Sequence, residues 1–279
     1  MSCVSPLTLS DRIVPCGKCY YCRLRHVNMW VVRLLEQQKV SDTAYFITLT
    51  YEDEKNNLES DTARHTPSGR RTLNKRDLQL FFKRLRRLSE NNGRLPIKYY
   101  AVGEYGKRSF RPHYHAIVFN ANESDIRKSW LFGFVHVGTV TTKSIAYCLK
   151  YINKGRVVPI DNSDDRLPEF SVMSQKLGAS YVTLSSIKYH LDNLLERVYY
   201  PMDGGYNFPL PRYLREKIYS PESLAKISAY FEKLYLEQWS ENNPLLTREE
   251  WLANKKKAKD LIDAAKRMQN YLSSQKEKL

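Results

Sequence analysis

The chain has 279 residues, and its 45 lysines and arginines outnumber 30 aspartates and glutamates for a formal net charge of +15. That excess favours a polyanionic partner, nucleic acid above all, over a merely basic soluble surface. No apolar run approaches the ~18 residues of a membrane-spanning helix, and Met1 to Ser10 shows no signal-peptide pattern, so the expectation is a cytosolic protein with no membrane partner and no disulfides.

Taken in order, the chain opens on Cys16-Gly17-Lys18-Cys19-Tyr20-Tyr21-Cys22, two overlapping Cys-x-x-Cys spacings, with Cys3 upstream. Thiolates so spaced can grip one tetrahedral ion, so Cys3, Cys16, Cys19 and Cys22 are a possible four-thiolate Zn²⁺ site. Reduced cysteines at the start of a helix are the alternative. Lys18, Arg23, Arg25 and His26 make this segment basic. Val27, Trp30, Val31, Leu34 and Leu35 then recur at helical spacing, predicting a helix to Lys39. Ala44 to Tyr51 alternates β-branched and aromatic residues and reads as a strand. Glu52 to Arg71 is polar, holds Pro67 and Gly69, and reads as a long loop.

Asn74 is a candidate N-cap for a helix with the apolar stripe Leu78, Phe81, Phe82, Leu85 and Leu88. Its remaining surface carries Lys83, Arg84, Arg86 and Arg87, either a solvated face or one that tracks phosphates. Asn91-Asn92-Gly93 stops it. Strands follow over Ile97–Glu104 and His113–Phe119, then a short helix over Glu123–Trp130, a strand over Phe134–Val140 and a helix over Lys143–Lys154. This order predicts an α+β fold, an antiparallel sheet with flanking helices. Beyond Gly155 the chain turns irregular, then helical from Pro221. The expected division is a Cys-rich basic segment over 1–26, a nicking domain over 27–156, and a mostly helical and irregular extension of unassigned role over 157–279.

Two stretches carry the chemistry. Strand side chains alternate, so His113 and His115 face one way and Tyr114 the other. Two imidazoles at that spacing can share a divalent ion, and Glu104, ending the preceding strand, is the candidate third ligand. His26, His65, His136 and His190 are read as ordinary surface or core histidines. On the last helix, with Tyr147 at zero, Tyr151, Lys150 and Lys154 fall at about +40°, −60° and −20°. Ile145, Leu149 and Ile152 take the opposite side. An apolar face without the tyrosines argues for functional phenols, each with a lysine three residues on. A phenol with a pKa near ~10 needs a nearby cation to act as a nucleophile at neutral pH.

These residues resemble a known family. His113-Tyr114-His115 is similar to the His-hydrophobic-His signature of HUH endonucleases, and Phe46-Ile47-Thr48-Leu49-Thr50 to their first motif. Tyr147-x-x-Lys150-Tyr151-x-x-Lys154 resembles the two-tyrosine motif of rolling-circle replication initiators. The stretch from Cys16 to Arg23 resembles the initiators of small single-stranded DNA phages of the microvirus group, with a weaker echo at Pro211-Arg212-Tyr213. The resemblance implies cutting of single-stranded origin DNA, a 5′-phosphotyrosine intermediate, and Mg²⁺ or Mn²⁺ at the histidines. It also implies a 3′-hydroxyl that primes a host polymerase, and work in the cytoplasm of a host bacterium. No Gly-rich Lys-Ser/Thr loop is present, so a helicase would be a host partner. A plasmid initiator, relaxase or transposase of the same superfamily is the near alternative. A non-catalytic zinc-containing nucleic-acid-binding protein is the distant one, disfavoured by the duplicated Tyr-x-x-Lys.

Overall fold

The structure, a computed structural model, describes residues 3, 7–9, 13–52, 61–90, 95–106, 109–153, 158, 160–205, 207–242, 250 and 253. In chain order the elements are β1 (Leu7–Thr8), β2 (Ile13–Val14), α1 (Tyr20–Lys39), β3 (Ala44–Tyr51), β4 (Arg64–His65), β5 (Arg71–Thr72) and α2 (Lys75–Glu90). Then come β6 (Lys98–Tyr105), β7 (Pro112–Phe119), α3 (Glu123–Ser129), β8 (Gly133–Thr139), α4 (Thr142–Asn153), β9 (Phe170–Met173) and α5 (Leu184–Asp192). The last are β10 (Tyr199–Pro201), β11 (Asn207–Pro209), α6 (Arg212–Ile218) and α7 (Pro221–Asn242). They divide into two units, Trp30–Thr183 and Met1–Met29 with Leu184–Leu279. No helix among the described residues is long and apolar enough to cross a membrane.

The expected α+β class holds. A five-stranded antiparallel sheet in the order β8-β3-β7-β6-β9 organises the unit from Trp30 to Thr183. Register sorts its side chains onto two faces. Ile47, Ala116 and Ala101 lie abreast, as do Leu49, Tyr114 and Gly103. The apolar members of these rows pack in one core with Leu78, Phe81, Phe82 and Leu85 of α2. One residue along, Thr48 lies abreast of His115 and Val102, and Thr50 of His113 and Glu104, on the opposite face. Ile145, Cys148 and Leu149 of α4 are buried, the apolar stripe expected of that helix.

Asn74 caps α2, its Oδ1 accepting the N–H groups of Arg76 at 2.7 Å and Asp77 at 3.3 Å. Beneath the cap lies a buried polar cluster. The Tyr51 hydroxyl donates to Asp77 at 2.9 Å and lies 2.8 Å from the Tyr114 hydroxyl, which meets the backbone N–H and C=O of Asn74. Arg64 closes the cluster with two hydrogen bonds to the Asp77 carboxylate.

Three boundaries differ from the sequence reading. Helix α1 begins at Tyr20, seven residues before the expected Val27, because its first turns are only partly buried and carry no apolar stripe. The loop Glu52–Arg71 contains the β4–β5 hairpin, with Arg64 paired to Thr72 and His65 to Arg71; residues 53–60 lie outside the described residues. The sheet does not end before residue 157. β9 pairs with β6, Gly103 opposite Phe170 and Tyr100 opposite Met173, so the unit with the nicking motifs runs to Thr183. The preceding loop is tied down by the Tyr105 hydroxyl, which donates to the Leu167 carbonyl at 2.7 Å, and by Arg166, which pairs with Asp164 and lies over the Phe110 ring. The stop at Asn91-Asn92-Gly93 and nearly all of Thr247–Leu279 lie outside the described residues.

Gly133 opens β8 at φ 138°, where an added Cβ would come within 2.3 Å of the Glu52 amide nitrogen and 2.7 Å of the Thr50 carbonyl oxygen. Both obstacles are backbone, so neither can step aside cheaply. Gly133→Ala is expected to lower unfolding free energy by at least about 1–3 kcal/mol in urea denaturation; an unchanged midpoint would show that the strand start relaxes freely.

Candidate active site

The short β6–β7 connection brings Glu104 directly opposite His113 in register. Glu104 is almost fully buried, and its Oε1 lies 3.0 Å from His113 Nε2 and 2.7 Å from His115 Nε2. One ligand atom from each of the three residues lies within 4.8 Å of the others. The far nitrogens are held as well. His113 Nδ1 is 3.0 Å from the Arg111 carbonyl oxygen, and His115 Nδ1 is 2.9 Å from Thr48 Oγ1. A carbonyl can only accept, so His113 carries its proton on Nδ1, and a neutral ring then presents the Nε2 lone pair to the Glu104 carboxylate. Two acceptors at that distance are held together by a shared cation or a further proton. The donor set, two imidazoles and a carboxylate with their outer nitrogens oriented, suits a divalent metal ion.

Tyr147 reaches the same carboxylate from α4. Its hydroxyl donates to Glu104 Oε1 at 3.1 Å, and its ring meets His115 edge-on at 4.8 Å. Burial, and then the negative charge of Glu104, push the phenol well above its ordinary pKa. Tyr151 lies one helical turn further on α4, but its side chain, that of Lys150, and all of Lys154 lie outside the described residues.

Two contributors stand out in the sequence only as members of a motif, with no role attached. Phe46 stacks on His115, ring centroids 5.5 Å apart and nearly parallel, and Thr48 holds its Nδ1. Both sit on β3 in the residue parity that faces the histidines, so pairing of that strand with β7 was the signal available. On β8, Phe134 and His136 pair with Thr50 and Thr48 and so share this face; Phe134 is 63% exposed.

The basic helix lies elsewhere. Lys83, Arg86 and Arg87 are exposed on α2, which packs on the opposite face of the sheet. Arg84 differs from the other three. Its Nε donates to the Ser129 carbonyl at 2.7 Å and its guanidinium lies near the Phe132 ring, so it serves the fold, a distinction that charge alone does not reveal. In the other unit, Cys3, Cys16, Cys19 and Cys22 come together with all four sulfurs within 4.8 Å. His190, read as an ordinary histidine, is buried against the Tyr219 hydroxyl and the Arg197 carbonyl.

Residues 44–156 match the family model of the replication-associated protein ORF2. The chain belongs among the phage replication-associated proteins, as a rolling-circle initiator. It is 28% identical to the replication-associated protein VP4 of Bdellovibrio phage phiMH2K, over 94% of this chain and 82% of that one. It is also 32% identical to the replication-associated protein ORF2 of Spiroplasma virus 4, over 67% of this chain and 59% of that protein's length. With the replication-associated protein ORF4 of Chlamydia phage 1 the identity is 25%, over 73% and 53% of the two chains. No solved structure gives a significant match.

If Thr48 orients a metal-ligating ring, Thr48→Val should weaken Mn²⁺ binding about 10- to 100-fold by calorimetric titration, as loss of a ligand's outer partner does. Unaltered affinity would reduce Thr48 to a packing role.

Proposed function

We propose that the protein is a metal-dependent endonuclease and strand transferase that nicks single-stranded origin DNA and keeps the 5′ end as a phosphotyrosine. The observation that carries this reading is the convergence of two imidazoles and the Tyr147 phenol on one carboxylate, Glu104. His113, His115 and Glu104 would hold Mg²⁺ or Mn²⁺. The bound ion would neutralise charge on the scissile diester and favour the phenolate over the phenol.

The rest of the step belongs to the chain. Tyr147 forms a bond from its oxygen to phosphorus, and the bond from phosphorus to O3′ breaks. The phenol gives up the proton it now shares with Glu104, and O3′ leaves as a hydroxyl. The diester's energy is conserved in the phosphotyrosine, so a later 3′-hydroxyl can reverse the step without ATP. In this reading Tyr147 and Tyr151 act in alternate rounds, with Lys150 and Lys154 as their cations. The free 3′-hydroxyl is extended by a host polymerase behind a host helicase, in the bacterial cytoplasm.

The test is incubation with single-stranded origin DNA and Mg²⁺, then a denaturing gel and mass spectrometry of any adduct. An SDS-stable adduct on Tyr147 or Tyr151 is expected, abolished by EDTA, by His113→Ala or His115→Ala, and by the Tyr147→Phe/Tyr151→Phe double change. Each single phenylalanine variant should retain some first-round cleavage yet fail in successive rounds. An adduct on another residue, or cleavage by the double variant, would overturn the assignment.

The exposed cations of α2 give a separate expectation. Replacing Lys83, Arg86 or Arg87 by alanine should each reduce the salt slope of single-stranded DNA binding by about 0.7. Arg84→Ala should instead lower thermal stability, through the lost bond to Ser129. Slopes equal to the parent's for all three would make the α2 face a solvated one.

A further inference from the structure

We propose that Cys3, Cys16, Cys19 and Cys22 bind one structural zinc ion, a second metal centre with no part in the nicking chemistry. The sulfurs of Cys16 and Cys22 are 4.0 Å apart, as are those of Cys3 and Cys19, and the whole set fits within 4.8 Å. A tetrahedral ion with bonds of about 2.3 Å to sulfur has edges of about 3.8 Å. The four sulfurs therefore stand close to the vertices of a single-ion site, whereas a cluster of several irons would spread them further apart.

The backbone around the sulfurs is built for thiolates. The Cys16 amide lies 3.2 Å from Cys3 Sγ, and the Cys19 amide donates to Cys16 Sγ at 3.4 Å. Gly17, at φ 70°, makes the turn that lets Cys16 and Cys19 face the same point. An all-sulfur donor set selects zinc over the oxygen-seeking Mg²⁺ and Mn²⁺ proposed at the histidines. Four protein ligands leave no open position for substrate, which makes the ion structural. Lys18, Arg23 and Arg25, in the same segment, offset the excess thiolate charge.

A further argument comes from what else fixes this segment. Cys3 returns to Cys16 through β1 and β2, which pair only as Leu7 with Val14 and Thr8 with Ile13. Leu7 and Leu9 are 53% and 46% exposed. So short a ladder is not stable alone, and these two leucines contribute little burial. The convergence of the sulfurs is the interaction that holds residue 3 against the first turns of α1. Zinc there would make the N-terminal arm and its basic segment one rigid piece.

The experiment uses the full-length protein, purified without chelator. Elemental analysis should give about one zinc per chain, and cobalt substitution should give the intense visible bands of a tetrahedral thiolate site. Cys19→Ser and Cys3→Ser should lose the metal, while Cys148→Ser, whose sulfur lies in α4, should keep it. His113→Ala should also retain the zinc, which separates this centre from the nicking site. A folded protein that takes up no zinc after incubation and gel filtration, or that carries iron instead, would overturn the proposal. Should a cysteine variant not fold, the zinc and cobalt measurements on the unaltered chain decide the matter alone.

Discussion

The constraint on which the rest depends is the antiparallel register of β6, β7 and β3. It sets Glu104, His113 and Thr50 abreast, and Val102, His115 and Thr48 in the next row of the same face. A slip of one residue would invert the parity of β7, sending both histidines into the α2 core and Tyr114 out of it. The structure guards against that slip from the far side. Tyr114 lies between the two histidines in sequence and is fully buried on the other face, its hydroxyl bound to Tyr51 and to both backbone groups of Asn74. Stranding such a buried hydroxyl costs about 1–3 kcal/mol per lost partner. The cluster that caps α2 thus also fixes the direction of the imidazoles.

Glu104 is the electrostatic centre of that face. A buried carboxylate is costly unless it is paired and hydrogen-bonded. Here it is met by two imidazole nitrogens and a phenol. The same contact that stabilises the carboxylate holds the Tyr147 proton in place, because burial and a neighbouring negative charge both disfavour the phenolate. Ground-state stability and nucleophilic reactivity therefore oppose each other at Tyr147, and only a cation on the same carboxylate reconciles them. The arginines and lysines of α2 cannot supply it, since they lie beyond the sheet.

Much of this was legible in the sequence because it depends on short-range periodicity. Strand alternation identifies β3, β6 and β7, and helical spacing sorts Tyr147 from Ile145 and Leu149 on α4. What escaped notice depends on pairing across long separations. β9 is four residues in a stretch rich in proline, aspartate and serine, and only its ladder to β6 makes it a strand. Thr48 and Phe46 gain their roles from pairing with residues nearly seventy positions away. Arg84 and Arg87 carry the same charge, but their different places around the helix put the first against Ser129 and leave the second exposed. Composition counts both as cations and cannot separate them.

The packing of α4 bears on how two tyrosines could use one site. Ile145, Cys148 and Leu149 are buried to 1% or less, so sliding the helix along its axis by one turn, about 5.4 Å, would unseat all three. Burial of such side chains is worth roughly 1.5–3 kcal/mol for each large one, and the shift would recover none of it until the stripe found new partners. The helix is therefore the costly part to move. The phenols are cheaper, because Tyr147 is 39% exposed and rotation about its side-chain bonds crosses only rotamer barriers. A second tyrosine one turn away is then best served by a DNA strand that shifts over a fixed helix. On that geometry α4 acts as a rigid rail, and alternation resides in the substrate and in the swing of the phenols.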